Sequence, residues 1–427
     1  MALLTANTKF GTVSGIPGGY TGYSVFKGIP YAAPPINELR WAAPVDPTPW
    51  NGVKTCNKFS SIAIQNKQNP GDFYQKEFFP IQEPMSEDCL YLNVWTPAEN
   101  DTENLPVMVW IHGGAYLAGF GHEMEFDGEA FCKRGVILVT INYRLGCMGY
   151  FAHPELSKQN EKGVSGNYGL LDQIQALKWV KENIGAFGGD ADKLTVFGQS
   201  AGGGSVISLC TSPLSEGLIN KAIIQSAGGI KTLGGPFTLK DAEDFGTFVV
   251  EHSGLTWEEF SKLSAEEVFT KVTAATMTLT EGKFILKLLP CTDGYVLPED
   301  PGAAIESRKH HAIPYMTGWV SGDENFFGDH SNINWLKLKN GDNSLYVYRF
   351  DHNVPGDDGA FHSSELWYIF ATLQRCWRPM QGKDYDFSLR MADYWTSFAK
   401  TANPNCGTWE DWPEYTAQPP QVFPLKG

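Results

Sequence analysis

The stretch TVFGQSAGGG, from Thr195 to Gly204, decides the fold class of this chain of 427 residues. A strand ends in it, a G-x-S-x-G turn follows, and a helix begins directly after Ser200. Such a turn holds the serine backbone in a strained conformation and lifts its hydroxyl above a sheet. Gly198 and Gly202 must be small because the strand and the helix approach each other closely there. Ser200 is therefore a candidate nucleophile, although so short a pattern also arises by chance.

Further strands and helices are predicted on both sides of this turn. Continuous apolar runs, typical of strands buried on both faces of a mostly parallel sheet, are Pro106–Ile111, Val136–Ile141, Lys193–Phe197, Lys221–Ile224, Ile313–Val320 and Leu345–Phe350. Apolar residues at helical spacing predict helices over Leu170–Ile184, with Gly185 as the left-handed C-cap, and over Phe387–Phe398. The order predicts an α/β fold, with a mostly parallel central sheet flanked by helices.

Two other segments complete the expected organisation. Short β-like pieces, Lys9–Ser14 and Tyr23–Lys27, predict a hairpin near the N-terminus. The segment around 234–282 is acidic, has a helical pattern and lacks a strand pattern, which predicts a helical cap or side subdomain. We expect one domain over residues 1–427.

The composition excludes several classes of protein. A hydrophobic share of 42% with 13% aromatic residues is too high for a disordered chain. The 33 basic against 48 acidic residues give a net charge of −15, which argues against nucleic acid as a partner. The longest apolar run, Val136–Ile141, is far shorter than the roughly 20 residues of a membrane span.

The cysteines and the N-terminus say little about the cellular compartment. No Cys or His spacing fits a zinc site, and a single disulfide between Cys56 and Cys89 stays open. The first residues, MALLTANTKFG, lack the basic and apolar regions of a signal peptide. We expect either a cytoplasmic protein or a secreted one whose leader has been removed.

A second motif supplies candidate hydrogen-bond donors for a serine nucleophile. The sequence His112-Gly-Gly114 directly follows a predicted buried strand. Adjacent glycines let the backbone turn its N–H groups towards a substrate, where they can stabilise the oxyanion that forms when a carbonyl is attacked. Ala201, at the start of the helix after the nucleophile, offers a further N–H group.

Longer motifs then make the chain recognisable. They are FKGIPYA (Phe26–Ala32), SEDCLYLNVWTP (Ser86–Pro97), NYRLG (Asn142–Gly146), GNYGLLDQ (Gly166–Gln173) and GQSAG (Gly198–Gly202). With them the chain resembles the type-B carboxylesterase (cholinesterase-like) family of α/β-hydrolases almost from end to end. The resemblance implies the α/β-hydrolase fold, with Ser200 as nucleophile and the N–H groups of Gly114, Ala115 and Ala201 as the oxyanion hole.

The resemblance also points to the other two members of a catalytic triad. The base is expected to be His362, in the motif Gly359-Ala-Phe-His-Ser-Ser-Glu365, because the chain order Ser, acid, His fits the fold. For the acid, a match without gaps from Gly318 selects Asp323, whereas the family's usual Asp-Glu pair selects Glu324. We favour Asp323 and keep Glu324 as the alternative.

Several positions depart from the cholinesterase pattern. The residue before the nucleophile is Gln199 rather than Glu, and Phe79 stands where cholinesterases carry the Trp that binds choline, so a choline ester is not expected. Phe79, Gln199 and the aromatic residues Tyr116 and Trp319 are candidate substrate contacts. The interval of 39 residues from Asp323 to His362 is shorter than the family norm. There are two explanations: a lid segment is absent from the protein, or residues are absent from the given sequence.

The predicted activity is hydrolysis of a carboxylic ester, with a small-molecule ester as partner and no metal or organic cofactor. Short-acyl or aryl esters are the first choice of substrate, and plant cell-wall esters cleaved by a feruloyl-type esterase are the alternative. A non-catalytic interaction domain of the cholinesterase-like type is disfavoured because both Ser200 and His362 are present. The oligomeric state stays open.

Overall fold

The computed structural model describes residues 2–20, 22–67, 69–79, 81–230, 236–283, 285–324, 330, 333–356, 358–416 and 421–427. The strands are β1 (Thr5–Thr8), β2 (Gly11–Ser14), β3 (Ile16–Pro17), β4 (Ser24–Pro30), β5 (Val53–Thr55), β6 (Tyr91–Thr96), β7 (Leu105–Ile111), β8 (Ile137–Ile141), β9 (Gly189–Gln199), β10 (Lys221–Gln225), β11 (Tyr315–Val320), β12 (Leu345–Phe350) and β13 (Phe423–Leu425).

The α-helices of the described residues lie mostly between these strands. They are α1 (Phe73–Phe78), α2 (Glu129–Cys132), α3 (Gly146–Gly149), α4 (Pro154–Gln159), α5 (Tyr168–Asn183), α6 (Ala201–Thr211), α7 (Leu239–Ser253), α8 (Trp257–Phe260), α9 (Ala265–Leu279), α10 (Pro301–Glu306), α11 (Leu366–Ile369) and α12 (Gly382–Thr401). None of them is long and apolar enough to cross a membrane.

A ten-stranded mixed sheet forms the centre of the molecule. Its strand order is β13-β12-β11-β10-β9-β7-β8-β6-β4-β3. All neighbours from β13 to β8 are parallel, whereas β6, β4 and β3 are joined antiparallel at one edge. The predicted α/β-hydrolase architecture, a mostly parallel sheet flanked by helices, is confirmed.

The sheet is buried on both faces, which explains the continuous apolar runs. In β7, Val107, Val109 and Ile111 belong to one apolar cluster, and Met108 and Trp110 belong to a second cluster. Successive side chains of a strand point to opposite faces, so the two clusters lie on the two sides of the sheet. The parallel strands therefore need apolar residues at every position.

Two local predictions are wrong. The hairpin between Lys9–Ser14 and Tyr23–Lys27 does not form, because β2 pairs with β1 and β5 in a separate small sheet, whereas β4 pairs with β3 and β6. The left-handed residue after α5 is Gly188 rather than Gly185, because a 3-10 turn over Ile184–Phe187 continues the helix before the chain reverses.

The acidic segment around 234–282 contains α7, α8 and α9, within its described residues. Each helix begins after a Thr or Ser whose side chain accepts a hydrogen bond from the backbone N–H group three residues later. The three cap residues are Thr238, Thr256 and Ser264. An Asp or Glu at that later position returns the hydrogen bond, which completes a capping box and fixes where each helix starts. Helices α7 and α9 pack against each other.

Candidate active site

Ser200 stands on a strained turn between β9 and α6. Its backbone has φ 57° and ψ −124°, and its N–H group donates to the carbonyl oxygen of Gln225 at 2.9 Å. A Cβ atom on Gly202 would lie 2.1 Å from the carbonyl oxygen of Ile111, and one on Gly198 would lie 2.5 Å from that of Gly202. Both glycines are thus required by the close approach of strand and helix, and the turn raises Ser200 at the carboxyl end of the sheet.

His362 connects Ser200 to Asp323. Its Nε2 atom lies 2.9 Å from Ser200 Oγ, and its Nδ1 atom lies 2.5 Å from Asp323 Oδ1. The imidazole is 15% exposed and the Asp323 side chain is fully buried. The structure therefore brings together a hydroxyl, an imidazole and a carboxylate in the order that a serine nucleophile requires.

Short segments after β11 hold the carboxylate in this place. A 3-10 turn over Ser321–Asp323 follows the strand, and Asp323 Oδ2 accepts a hydrogen bond from the N–H group of Val320 at 3.3 Å. The N–H group of Gly322 donates to the carbonyl oxygen of Ala360 at 2.9 Å. That bond ties the turn of Asp323 to the loop that carries His362.

Glu324, the alternative acid, is bound elsewhere. Its Oε1 atom accepts a hydrogen bond from Trp319 Nε1 at 3.3 Å and lies 3.5 Å from Arg349 Nε. These partners lie away from the imidazole, whose Nδ1 atom already faces Asp323. Of the two neighbouring carboxylates, the geometry favours Asp323 as the partner of His362.

The charge around His362 favours a protonated imidazole. Burial lowers the pKa of His362, but the hydrogen bond and the negative charge of Asp323, together with the charge of Glu365, outweigh burial and raise it above its usual value. A raised pKa makes the imidazole a stronger base towards a hydroxyl proton. This is the property that a general base for Ser200 needs.

Glu365 is a functional candidate that sequence reasoning missed. Its side chain is fully buried, and Ser226 Oγ donates to its Oε1 atom at 3.4 Å. Burial, followed by the charge of Asp323, raises the pKa of Glu365 to about 7. The one signal in the sequence is its place three residues after His362, within the motif that identified the histidine.

The loop after β7 lies against Ser200. Gly114, Ala115 and Tyr116 all have positive φ angles, and the N–H group of Ala118 donates to the Gly114 carbonyl oxygen at 3.0 Å. A Cβ atom on Gly113 would lie 3.2 Å from the Cβ atom of Ser200. The predicted donors Gly114 and Ala115 therefore lie on a loop beside the nucleophile, and the third, Ala201, is the first residue of α6.

The four predicted substrate contacts differ in which side chains surround them. Gln199 Nε2 lies 3.4 Å from His362 Nε2, and Phe79 is half-buried with its ring 6.1 Å from that of Phe120. Tyr116 and Trp319 are each about 2% exposed and pack in the core. Their rings contact Tyr150 and Trp335, respectively. Tyr116 and Trp319 thus pack among core residues, Gln199 is equally buried, and a substrate contact for each of the four residues stays a prediction.

The structure contains neither a bond between Cys56 and Cys89 nor, in its described residues, a cluster of metal ligands. Cys56 and Cys89 are separate buried thiols, so the disulfide that the sequence left open does not form. Within the part of the chain that the structure describes, no group of three or more His, Cys, Asp or Glu side chains could hold a metal ion.

Comparison with known sequences identifies relatives over almost the whole chain. The model of the carboxylesterase family matches residues 3–335 and 326–426. A para-nitrobenzyl esterase of Bacillus subtilis (strain 168) is 34% identical, over 96% of this chain and 92% of that protein. A fumonisin B1 esterase of Sphingopyxis macrogoltabida is 32% identical, over 96% of this chain and 84% of that protein.

Solved structures give the same relationship. A thermophilic para-nitrobenzyl esterase superposes with a TM-score of 0.84 at 30% sequence identity. The match covers 99% of this chain and 96% of that one.

Proposed function

Because this chain belongs to the carboxylesterase family and is a carboxylic ester hydrolase, we propose that it cleaves its ester through an acyl-enzyme on Ser200. His362 is the general base and general acid, and Asp323 orients the imidazole and stabilises its charged form. The observation that carries the proposal is the position of His362, with one ring nitrogen 2.9 Å from Ser200 Oγ and the other 2.5 Å from Asp323 Oδ1.

The reaction proceeds in two halves. Ser200 Oγ attacks the ester carbonyl while its proton passes to His362 Nε2, and the N–H groups of Gly114, Ala115 and Ala201 stabilise the oxyanion. The imidazolium then protonates the leaving alcohol, which departs and leaves the acyl group on Ser200. Water activated by His362 attacks the acyl-enzyme and releases the acid together with the free hydroxyl.

Short-acyl or aryl esters are the proposed substrates. The para-nitrobenzyl esterase among the relatives supports an ester that carries an aromatic group. Gln199 next to the nucleophile is neutral, so the site has no carboxylate at this position for a cationic alcohol. A feruloyl-type activity remains the second candidate, and the ratio of kcat/KM for methyl ferulate and p-nitrophenyl butyrate separates the two.

The test is loss of both turnover and covalent labelling when Ser200 is removed. We expect Ser200→Ala to lower the turnover of p-nitrophenyl acetate by about 10⁶-fold and to abolish labelling by an organophosphate. Ser208→Ala is the matched control, because Ser208 is a buried serine on α6, the helix that follows Ser200, and its hydroxyl donates to the Gly204 carbonyl oxygen. Turnover that survives in Ser200→Ala would show that another residue is the nucleophile.

If the chain were a non-catalytic interaction domain, the labelling experiment would give a different result. Such a domain would fail to react with the organophosphate in the wild-type chain as well. We also propose that the chain is one α/β-hydrolase domain, in which α7, α8 and α9 form a helical cap or side subdomain.

A further inference from the structure

The loop after β7, from His112 to Gly119, carries two of the three proposed oxyanion donors on a backbone that L residues rarely adopt. Ala115 and Tyr116 have φ angles of 57° and 61°, and Gly114 and Gly119 have φ angles of 101° and 103°. A strained backbone of this kind persists only where the surrounding structure fixes it. The contacts that hold this loop therefore decide where the N–H groups of Gly114 and Ala115 point.

Gln65 holds the far end of the loop with its side-chain amide. Its Oε1 atom accepts a hydrogen bond from the N–H group of Gly119 at 2.8 Å, and its Nε2 atom donates to the Gly119 carbonyl oxygen at 3.0 Å. The Nε2 atom also donates to the carbonyl oxygen of Ala63 at 3.2 Å, which fixes the orientation of the amide. Gln65 is 6% exposed, so the loss of its amide would leave buried backbone groups without partners.

The segment that carries Gln65 is itself fixed by backbone hydrogen bonds. The N–H group of Ile62 donates to the carbonyl oxygen of Pro84 at 2.9 Å, and the N–H group of Ser86 donates to that of Ile62 at 2.9 Å. These bonds join the segment to the stretch of chain that leads into β6. Gln65 therefore holds Gly119 from a fixed position rather than following the loop.

Gly119 in turn packs against the residue beside the nucleophile. A Cβ atom on Gly119 would lie 2.7 Å from the Gly113 carbonyl oxygen and 2.5 Å from His112 Nδ1, so the backbone segments approach as closely as a glycine allows. A Cβ atom on Gly113 would lie 3.2 Å from the Cβ atom of Ser200. The amide of Gln65 is thus connected to Ser200 through Gly119 and Gly113.

We propose that Gln65 is a positioning residue of the oxyanion hole. Its amide fixes Gly119, and the fixed loop keeps the N–H groups of Gly114 and Ala115 directed at the oxyanion. This role rests on the proposed function, because the oxyanion forms only when Ser200 attacks a carbonyl. The donors act more strongly on the oxyanion than on the ester, so loss of the amide slows the chemical step more than it weakens substrate binding.

The test removes the amide and measures how well the enzyme binds an oxyanion. Gln65→Met keeps the length of the side chain, and we expect it to lower kcat/KM for p-nitrophenyl acetate by about 10²-fold, the effect of displacing a catalytic group by about 1 Å. The probe is 2,2,2-trifluoroacetophenone, to whose carbonyl carbon Ser200 Oγ adds while its proton passes to His362 and the carbonyl oxygen becomes the oxyanion. Its Ki should rise by about 10²-fold as well. Acetophenone is the planar reference, and its Ki should change by less than about twofold, because it binds without this addition.

Asn167 offers a matched control, because its amide holds a distant residue in the same way. Its Oδ1 atom accepts a hydrogen bond from the N–H group of Cys291 at 2.9 Å, and its Nδ2 atom donates to the Cys291 carbonyl oxygen at 2.7 Å. Both residues are buried, and neither belongs to the loop after β7 or to the proposed triad. Asn167→Leu should lower the melting temperature as Gln65→Met does, but keep the wild-type kcat/KM in the folded fraction and the wild-type Ki of both ketones.

The outcome separates this proposal from the proposed function. Equal losses of kcat/KM in Gln65→Met and Asn167→Leu, or equal rises in the Ki of the two ketones, would show a general structural role and overturn the positioning role of Gln65. Hydrolysis through Ser200 would still stand, because it is tested by Ser200→Ala. Should Gln65→Met fail to fold, Gln65→Asn keeps a polar side chain whose amide ends about 1.5 Å short of Gly119. Wild-type kcat/KM and Ki in that variant would equally overturn the proposal.

Discussion

Two histidine–carboxylate pairs have their histidines in the segment that follows β12, and they differ in what the second ring nitrogen contacts. In one pair, His362 Nδ1 lies 2.5 Å from Asp323 Oδ1. In the other, His352 Nε2 lies 2.8 Å from Asp384 Oδ1, and both side chains are buried. The remaining nitrogen of His362 faces Ser200 Oγ, whereas that of His352 accepts a hydrogen bond from the N–H group of Gly427 at 3.1 Å.

The two imidazoles also differ in exposure and in the side chains around them. His352 is 2% exposed and packs against the rings of Tyr368 and Phe387, with ring centroids 5.0 and 4.8 Å away. His362 is 15% exposed and lies beside the polar side chain of Gln199. A buried His–Asp pair alone therefore does not make a catalytic site; the second ring nitrogen must face a nucleophile, and a substrate must have access to it.

The sharpest test of this difference replaces each histidine. We expect His362→Ala to lower kcat for p-nitrophenyl acetate by about 10⁶-fold with little change in thermal stability, because it removes the base for Ser200. His352→Ala should keep kcat in the folded fraction and lower the melting temperature. The two variants are compared by single-turnover kinetics and by thermal unfolding followed by circular dichroism. Equal losses of kcat would contradict the distinction between the pairs.

Replacing the two aspartates, Asp323 and Asp384, should separate activity from stability as the histidine variants do, with a smaller effect on kcat. Asp323→Asn is expected to lower kcat by about 10⁴-fold, because an amide cannot stabilise the imidazolium. Asp384→Asn should instead lower the free energy of unfolding, by about 1–3 kcal/mol, because a single amide oxygen cannot accept all the hydrogen bonds that His352, Tyr368 and the N–H group of Gln381 donate to the two carboxylate oxygens. Denaturant titration measures the second effect. Glu324→Gln is the control for the first, and a loss in Glu324→Gln alone would identify Glu324 as the acid.

The parts of this site that depend on local backbone could be predicted from sequence. The turn at Ser200 and the glycines beside it follow from a short motif, because the motif itself specifies the backbone there. The choice between Asp323 and Glu324 stayed open, since it depends on which carboxylate the 3-10 turn directs towards His362. The burial of Glu365 was missed because it depends on contacts with distant segments.

For the fold as well, features set by the local sequence were predictable and features set by other contacts were not. The strands of the parallel sheet were predictable because burial on both faces requires uninterrupted apolar runs. The helix end at Gly188 was not, because a 3-10 turn continues α5 beyond its apolar stripe. The pairing of β2 with β1 and β5 was not, because an alternating pattern does not specify which strand is the partner.

A second carboxylate next to His362 would test whether Asp323 alone sets the pKa of the imidazole. Gln199 Nε2 lies 3.4 Å from His362 Nε2, and Gln199→Glu would place a negative charge there. Because that charge stabilises the imidazolium, it should raise the pKa of His362 further. Activity requires the neutral imidazole, so the acidic limb of the profile of kcat/KM against pH should move to higher pH. A limb that stays in place would show that Gln199 does not face the base.

The smallest expected effect concerns Glu365. Its charge contributes to the raised pKa of His362, so Glu365→Gln should lower that pKa and move the acidic limb to lower pH. Because the pKa of Glu365 is itself raised to about 7, its protonation also contributes to the wild-type profile near neutral pH, and the variant lacks that contribution. Glu324→Gln removes a nearby charge that faces away from His362 and should leave the limb unchanged. The same shift in both variants would reflect net charge rather than the buried carboxyl group beside Asp323.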